Sequence, residues 1–145
     1  LKRGGARGFV FGILRKNEQE EWIVDTENCK RLVRLAFPLP CTFHRAIDQT
    51  KDNLKAIEDI ASCGFSTILS SGKASSAMKG KEELKRMVDY AANRIVIMPG
   101  GGVRSTNLNT LHQTIGAKFY HSSAILTDDQ TIATNEIEEM KMILK

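Results

Sequence analysis

Short apolar runs that end in small or polar residues, each followed by a segment of helical period, recur along this chain and restrict it to one kind of architecture. The runs are Gly8 to Gly12 (GFVFG), Cys41 to His44, Thr67 to Gly72 (TILSSG), Ile95 to Gly102 (IVIMPGGG) and Lys118 to Ser123 (KFYHSS). Their starts lie 33, 26, 28 and 23 residues apart, close to the roughly 30 residues of one strand-helix crossover unit. Five such units predict an α/β fold with a parallel sheet. In sheets of this kind ligands bind beyond the carboxyl ends of the strands, where loops vary on a rigid scaffold. The run Cys41 to Asp48 (CTFHRAID) is the clearest case, because it turns abruptly from strand character into His44, Arg45 and Asp48 before a helix begins.

Between the runs, apolar spacing of i, i+3, i+4, i+7 marks the helices. Cys29, Leu32, Val33 and Ala36 predict one from Glu27, capped by Asp25 or Thr26. Leu54, Ile57, Ile60 and Ala61 predict a second, stopped by Gly64, and Leu84, Met87, Val88 and Ala91 a third. Leu108, Leu111, His112 and Ile115 predict a fourth, stopped by Gly116, on which His112 reads as a partly buried helical residue and not a ligand. A last helix carries Ile137, Met140 and Leu144, with Thr134 or Asn135 as its cap. Leu1 to Gly8 reads as a helix end, Arg15 to Trp22 as a surface loop, and Ala124 to Ala133 as a loop.

The length of 145 residues and 41% hydrophobic content allow one domain with a real core. The net charge of +4 comes from acidic and basic residues that alternate along the chain, which is ordinary surface charge and not the basic footprint of a nucleic-acid partner. Cys29, Cys41 and Cys63 show no CxxC spacing and fall in helix or strand patterns, as reduced, buried thiols of a cytoplasmic protein do. No apolar run reaches the 18 or so residues of a membrane span.

The candidate chemistry sits at the strand ends. His44 on one strand and His121 on the last can look into one cavity, three strands apart, which suits a small molecule better than a lone metal ion. Arg45 and Asp48 are spaced to pair across one turn, so a structural salt bridge competes with a catalytic role. Pro99-Gly100-Gly101-Gly102 reads as a loop whose bare amides wrap an oxyanion, more glycine than a tight turn needs. It is neither a Rossmann nor a Walker loop. Ser70-Ser71-Gly72-Lys73 is a second small-residue loop. The candidate catalytic residues are therefore His44, Arg45, Asp48 and His121, and the candidate anion-binding residues Gly100, Gly101, Gly102 and Ser122; metal ligands are not identifiable.

TFHRAID at Thr42 to Asp48, SSG at Ser70 to Gly72, MPGGGVR at Met98 to Arg104 with Asn107 following, and HSSA at His121 to Ala124 resemble the CutC copper-homeostasis family. The resemblance implies a partial (β/α)8 TIM barrel of about five parallel strand-helix units, one domain over residues 1–145 holding the fourth to eighth strands, the first three missing. It implies copper ion binding or tolerance, with Cu(I) as the metal and no ligands assignable in this chain. Ser70 stands where the family usually has Thr, and Phe119 where it has Glu, which removes a carboxylate from the last strand. Alternatives are a barrel enzyme acting on a small anionic or phosphorylated substrate, or an inactive partial barrel. The two open sheet edges also predict association into homo-oligomers.

Overall fold

The computed structural model describes residues 4–126 and 131–145. In chain order its elements are β1 (Phe9–Phe11), β2 (Leu14–Lys16), β3 (Trp22–Val24), α1 (Thr26–Ala36), β4 (Cys41–Phe43), a 3-10 helix (Arg45–Gln49), α2 (Asn53–Ser62), β5 (Thr67–Ser70), α3 (Lys81–Ala91), β6 (Val96–Pro99), α4 (Ser105–Ile115) and α5 (Thr134–Ile143). Strands β1, β4, β5 and β6 form one parallel sheet in that order.

The register decides which face is buried. Phe11 lies beside Phe43, Phe43 beside Ile68, and Ile68 beside Ile97, so these side chains share one face. The helices cover it: Phe43, Ile68, Ile57, Ile60, Leu84, Met87, Leu108 and Leu111 are all buried. Phe65 packs between Phe11 and Phe43 at centroid distances of 5.0 and 5.3 Å. The opposite face carries Val10, Thr42, Thr67, Leu69, Val96 and Met98, all partly or largely exposed. A layer of helices on one face and a bare strand face on the other is the arrangement of an arc cut from a barrel wall.

Asp25, Gly64 and Gly116 bound their helices where the sequence predicts, and Asp52 adds a cap for α2 that was not among the expectations. Asp25 caps α1, its side chain accepting from the Asn28 amide at 3.1 Å, and Asp52 caps α2 through the Leu54 and Lys55 amides. Gly64 and Gly116 stop α2 and α4 with φ of 92° and 65°, a region where a β-carbon is strained. The cap of α5 differs: Ala133 holds that position and no side chain bonds there.

Three expectations are corrected. Arg15 to Trp22 is not a plain loop: β2 and β3 pair antiparallel, Leu14 with Val24 and Lys16 with Trp22. The polar turn hid this hairpin. Asn17 closes it by accepting from the Gln19 and Glu21 amides, an Asx-type turn, and Lys16 lies 5.4 Å from the Trp22 ring centroid. Second, Lys118 to Ser123 is not a strand but a single parallel bridge, Gly100 with His121. Its bond runs from the His121 amide to the Pro99 carbonyl at 2.9 Å. The missing N–H of Pro99 would have pointed the same way, toward Phe119, so the ladder cannot extend. Third, His112 is exposed, its Nδ1 3.3 Å from the Tyr120 hydroxyl. The helix end predicted over Leu1 to Gly8 lies partly outside the described residues, at 1–3, and the loop Ala124 to Ala133 likewise at 127–130. Within that loop Ile125 and Ile132 form an antiparallel bridge.

Candidate functional site

All four parallel strands point their carboxyl ends at one rim, and the predicted site residues gather there. Asp48 is the hub. Its Oδ1 accepts from the Ser70 hydroxyl at 2.6 Å and the Lys73 amide at 3.2 Å. Its Oδ2 accepts from the Ser71 amide at 3.0 Å, lies 2.9 Å from the Ser71 hydroxyl, and takes Arg45 Nε at 3.2 Å. Ser70 and Ser71 are completely buried. Asp48 thus fastens the loop after β5 to the loop after β4, and both carboxylate oxygens are engaged. The Arg45–Asp48 pair expected from spacing is present, as one strut of a larger bracket.

That bracket aims Arg45. With Nε held by Asp48 and one terminal nitrogen, Nη2, 2.6 Å from the Ser71 hydroxyl, its Nη1 makes no hydrogen bond among the described residues. Nη1 lies over the glycine loop, 3.3 Å from where a β-carbon on Gly101 would stand.

The three glycines separate in role. Gly100 donates its amide to the Ser70 carbonyl at 2.9 Å, so that amide is spent in the sheet and the expectation of Gly100 as an anion donor is corrected. A β-carbon there would lie 2.5 Å from Leu69 Cδ1 and 3.2 Å from His121 Cβ, so a larger residue would displace the Leu69 side chain. Gly101 and Gly102 have φ of 101° and 71°, and the Gly102 amide makes no hydrogen bond among the described residues. Ser122 is also corrected: its single hydroxyl proton goes to the Val103 carbonyl at 2.7 Å, which leaves it only as an acceptor, for Arg104 and the Ala124 amide.

Arg104 is the residue that sequence reasoning missed as a site group. It donates to the Val103 and Ile125 carbonyls and to Ser122 and Ser123, all neutral acceptors, and among the described residues no carboxylate pairs with it. The available signal was its place two residues after the glycine run. Arg45, Gly101, Gly102, Arg104, His121, Ser122 and Ser123 border one open cleft of about 200 Å³. His44 is not in it. His44, Ala46, Asp48 and Gln49 border an adjacent cleft of about 520 Å³, and Arg45 with Leu69 belongs to both. The single cavity expected for the two histidines is therefore two neighbouring ones. His44 accepts from the Ala46 amide through Nδ1 at 3.2 Å, which leaves Nε2 as the ring's open nitrogen.

The donor set for copper was tested on the cysteines. All three are buried, and the sulfurs of Cys29 and Cys63 lie against the carbonyls of Ile13 and Thr26 at 3.8 and 3.6 Å. Burial pushes both of these thiols above their ordinary range, whereas Cu(I) is bound by thiolates. Among the described residues no group of three or more His, Cys, Asp or Glu could hold a metal. The described residues do not fit a resident copper site.

The same shifts carry a pH dependence. Burial also raises the Tyr120 hydroxyl. Cys29, Cys63 and Tyr120 ionise in the unfolded chain near ordinary values while the folded chain keeps them neutral, so their contribution is present below about pH 8.5 and lost as pH rises. The urea midpoint at pH 10 is expected below that at pH 7.5, and Cys29→Ala with Cys63→Ala is expected to flatten the difference.

The fold and this rim define a class: an arc of a (β/α)8-type barrel whose rim presents guanidinium groups and the open Gly102 amide. The CutC family model matches residues 1–126, and the chain belongs to that family. It is 44% identical over 120 residues to the copper homeostasis protein cutC homolog of Mus musculus, covering 83% of this chain and 43% of that protein. The Homo sapiens homolog is 42% identical over 125 residues, 86% and 44%. The chain spans about half the length of these curated relatives. The crystal structure of the putative copper homeostasis protein CutC from Streptococcus agalactiae superposes with a TM-score of 0.72 at 34% identity, covering 80% of this chain and 55% of that one. A native KDPGal structure, at TM-score 0.67 and 14% identity, shares the fold alone. No helix among the described residues is long and apolar enough to cross a membrane.

Proposed function

We propose that residues 1–145 form one domain that serves copper homeostasis in the cytoplasm as part of a CutC-type barrel, and that its biochemical act is to bind a small anion at the strand-end mouth. The observation that carries this reading is Arg104, a guanidinium without a carboxylate partner, beside Arg45 with Nη1 open over Gly101. Two guanidiniums against the one carboxylate of Asp48 leave the cleft positive, and Gly102 adds an open amide. In this reading Asp48 is a positioning residue, Gly101 and Gly102 let an anion approach the backbone, and Ser122 holds Arg104 in place.

Phosphate titration followed by amide NMR is expected to move Gly101 and Gly102 first, and both Arg45→Ala and Gly101→Val are expected to weaken binding by about tenfold or more. Shifts confined to surface lysines such as Lys81 and Lys85 would overturn the reading.

A second reading, an enzyme of small anionic substrates, is favoured by His44 at the adjacent cleft and His121 at the anion cleft, imidazole being the commonest proton-transfer side chain. The copper link itself is tested by Cu(I) titration against a competing chelator. Submicromolar binding lost in Cys29→Ser or Cys63→Ser would place copper on this chain's thiols; the expected result is none, with the copper role exercised through the anionic ligand.

A further inference from the structure

The anion cleft is one half of a double feature, and the other half has no role in anion capture. It is the larger cleft, about 520 Å³ against about 200 Å³. Arg45 and Leu69 border both, so the two adjoin at the guanidinium that would hold the anion.

Their chemistries differ. The smaller cleft is cationic and offers two open donors, Arg45 Nη1 and the Gly102 amide, beside the charge of Arg104, whose terminal nitrogens are taken by Val103, Ser122, Ser123 and Ile125. A tetrahedral oxyanion with several acceptor oxygens answers such a set better than a planar carboxylate. Apart from the Arg45 guanidinium that it shares, the larger cleft has no open charge, since both oxygens of Asp48 are engaged by Ser70, Ser71, Lys73 and Arg45. What else it offers is polar: the open Nε2 of His44, and the exposed Gln49 amide, which makes no hydrogen bond among the described residues. An imidazole nitrogen and a carboxamide recognise groups that both donate and accept, which hydroxyls do.

We infer that the mouth binds a phosphate monoester of a short polyhydroxylated chain, the phosphate in the Arg45–Arg104 cleft and the hydroxyl-bearing body against His44 and Gln49. This rests on the anion reading above and adds the ligand's second half. The shared Arg45 requires the two parts to be joined closely, with the phosphate at the end of the body. Leu69, between the clefts, packs against the carbon next to the ester oxygen.

Calorimetric titration of the chain with inorganic phosphate, ribose and ribose 5-phosphate separates the claims. Ribose 5-phosphate is expected to bind at least about tenfold tighter than phosphate, and ribose too weakly to measure. Gln49→Ala, an exposed change that leaves the fold intact, is expected to remove most of that gain without altering the phosphate affinity. Equal affinity for phosphate and ribose 5-phosphate, or a gain indifferent to Gln49→Ala, overturns the inference while the anion reading stands. Absence of phosphate binding together with absence of ribose 5-phosphate binding overturns both.

Discussion

Asp48→Ala is expected to destabilise the chain by roughly 3–5 kcal/mol, because it orphans buried donors on Ser70 and Ser71. The size follows from what is left behind. The buried Ser70 hydroxyl loses its acceptor at 2.6 Å, and the Ser71 and Lys73 amides lose theirs at 3.0 and 3.2 Å. Each orphaned buried donor costs about 1–3 kcal/mol, which applies to Ser70 and Ser71, since the exposed Lys73 amide can turn to water. Asp48→Asn keeps one acceptor oxygen and the shape, so its cost is expected nearer 1–2 kcal/mol. Urea midpoints measure both. A second readout separates positioning from mere stability: with Nε released, Arg45 loses its aim over Gly101, so phosphate affinity should fall in the still-folded Asp48→Asn variant. An Asp48→Ala loss within about 1 kcal/mol, as at an ordinary exposed ion pair, would show that the bracket is decoration.

The second large effect concerns association. Four paired strands close no barrel, which needs eight for this class, and β1 presents an outer edge. Around it stand Val10, Leu35 and Phe37, exposed to 65, 66 and 76%, and Phe9, Val10, Phe11, Leu32, Leu35 and Ala36 border an apolar cleft of about 400 Å³. An apolar edge strand of this kind recruits another chain. Light scattering at micromolar concentration is expected to report dimers or larger species. Val10→Lys, a charge on the edge, is expected to shift the population to monomer. A wild-type chain that stays monomeric and unfolds in one cooperative step would sink this prediction and favour a self-sufficient open sheet.

What the amino-acid order determined by itself is the repeating plan. Local periodicity set α1 to α4, because an apolar stripe at helical spacing must find a core, and glycines at positive φ stop α2 and α4. The strand ends were legible for the same reason: CTF, TILS and VIMP are apolar runs that stop at polar or glycine residues, and each became a paired strand. Even the Arg45–Asp48 contact was local, three residues apart. The rest depended on partners far along the chain. The donors that fill Asp48 lie 22 to 25 residues away, so no spacing rule could separate a free carboxylate from a structural bracket. Gly100 differs from Gly101 and Gly102 only through Leu69 and Ser70 on the neighbouring strand. Arg104 became a site residue because Ser122 to Ile125 returned to surround it with neutral acceptors. The last segment failed as a strand through its neighbour, since Pro99 has no N–H to extend the ladder. Hydrogen-bond saturation and cleft membership are properties of groups brought together in space, and only the tertiary structure assigns them.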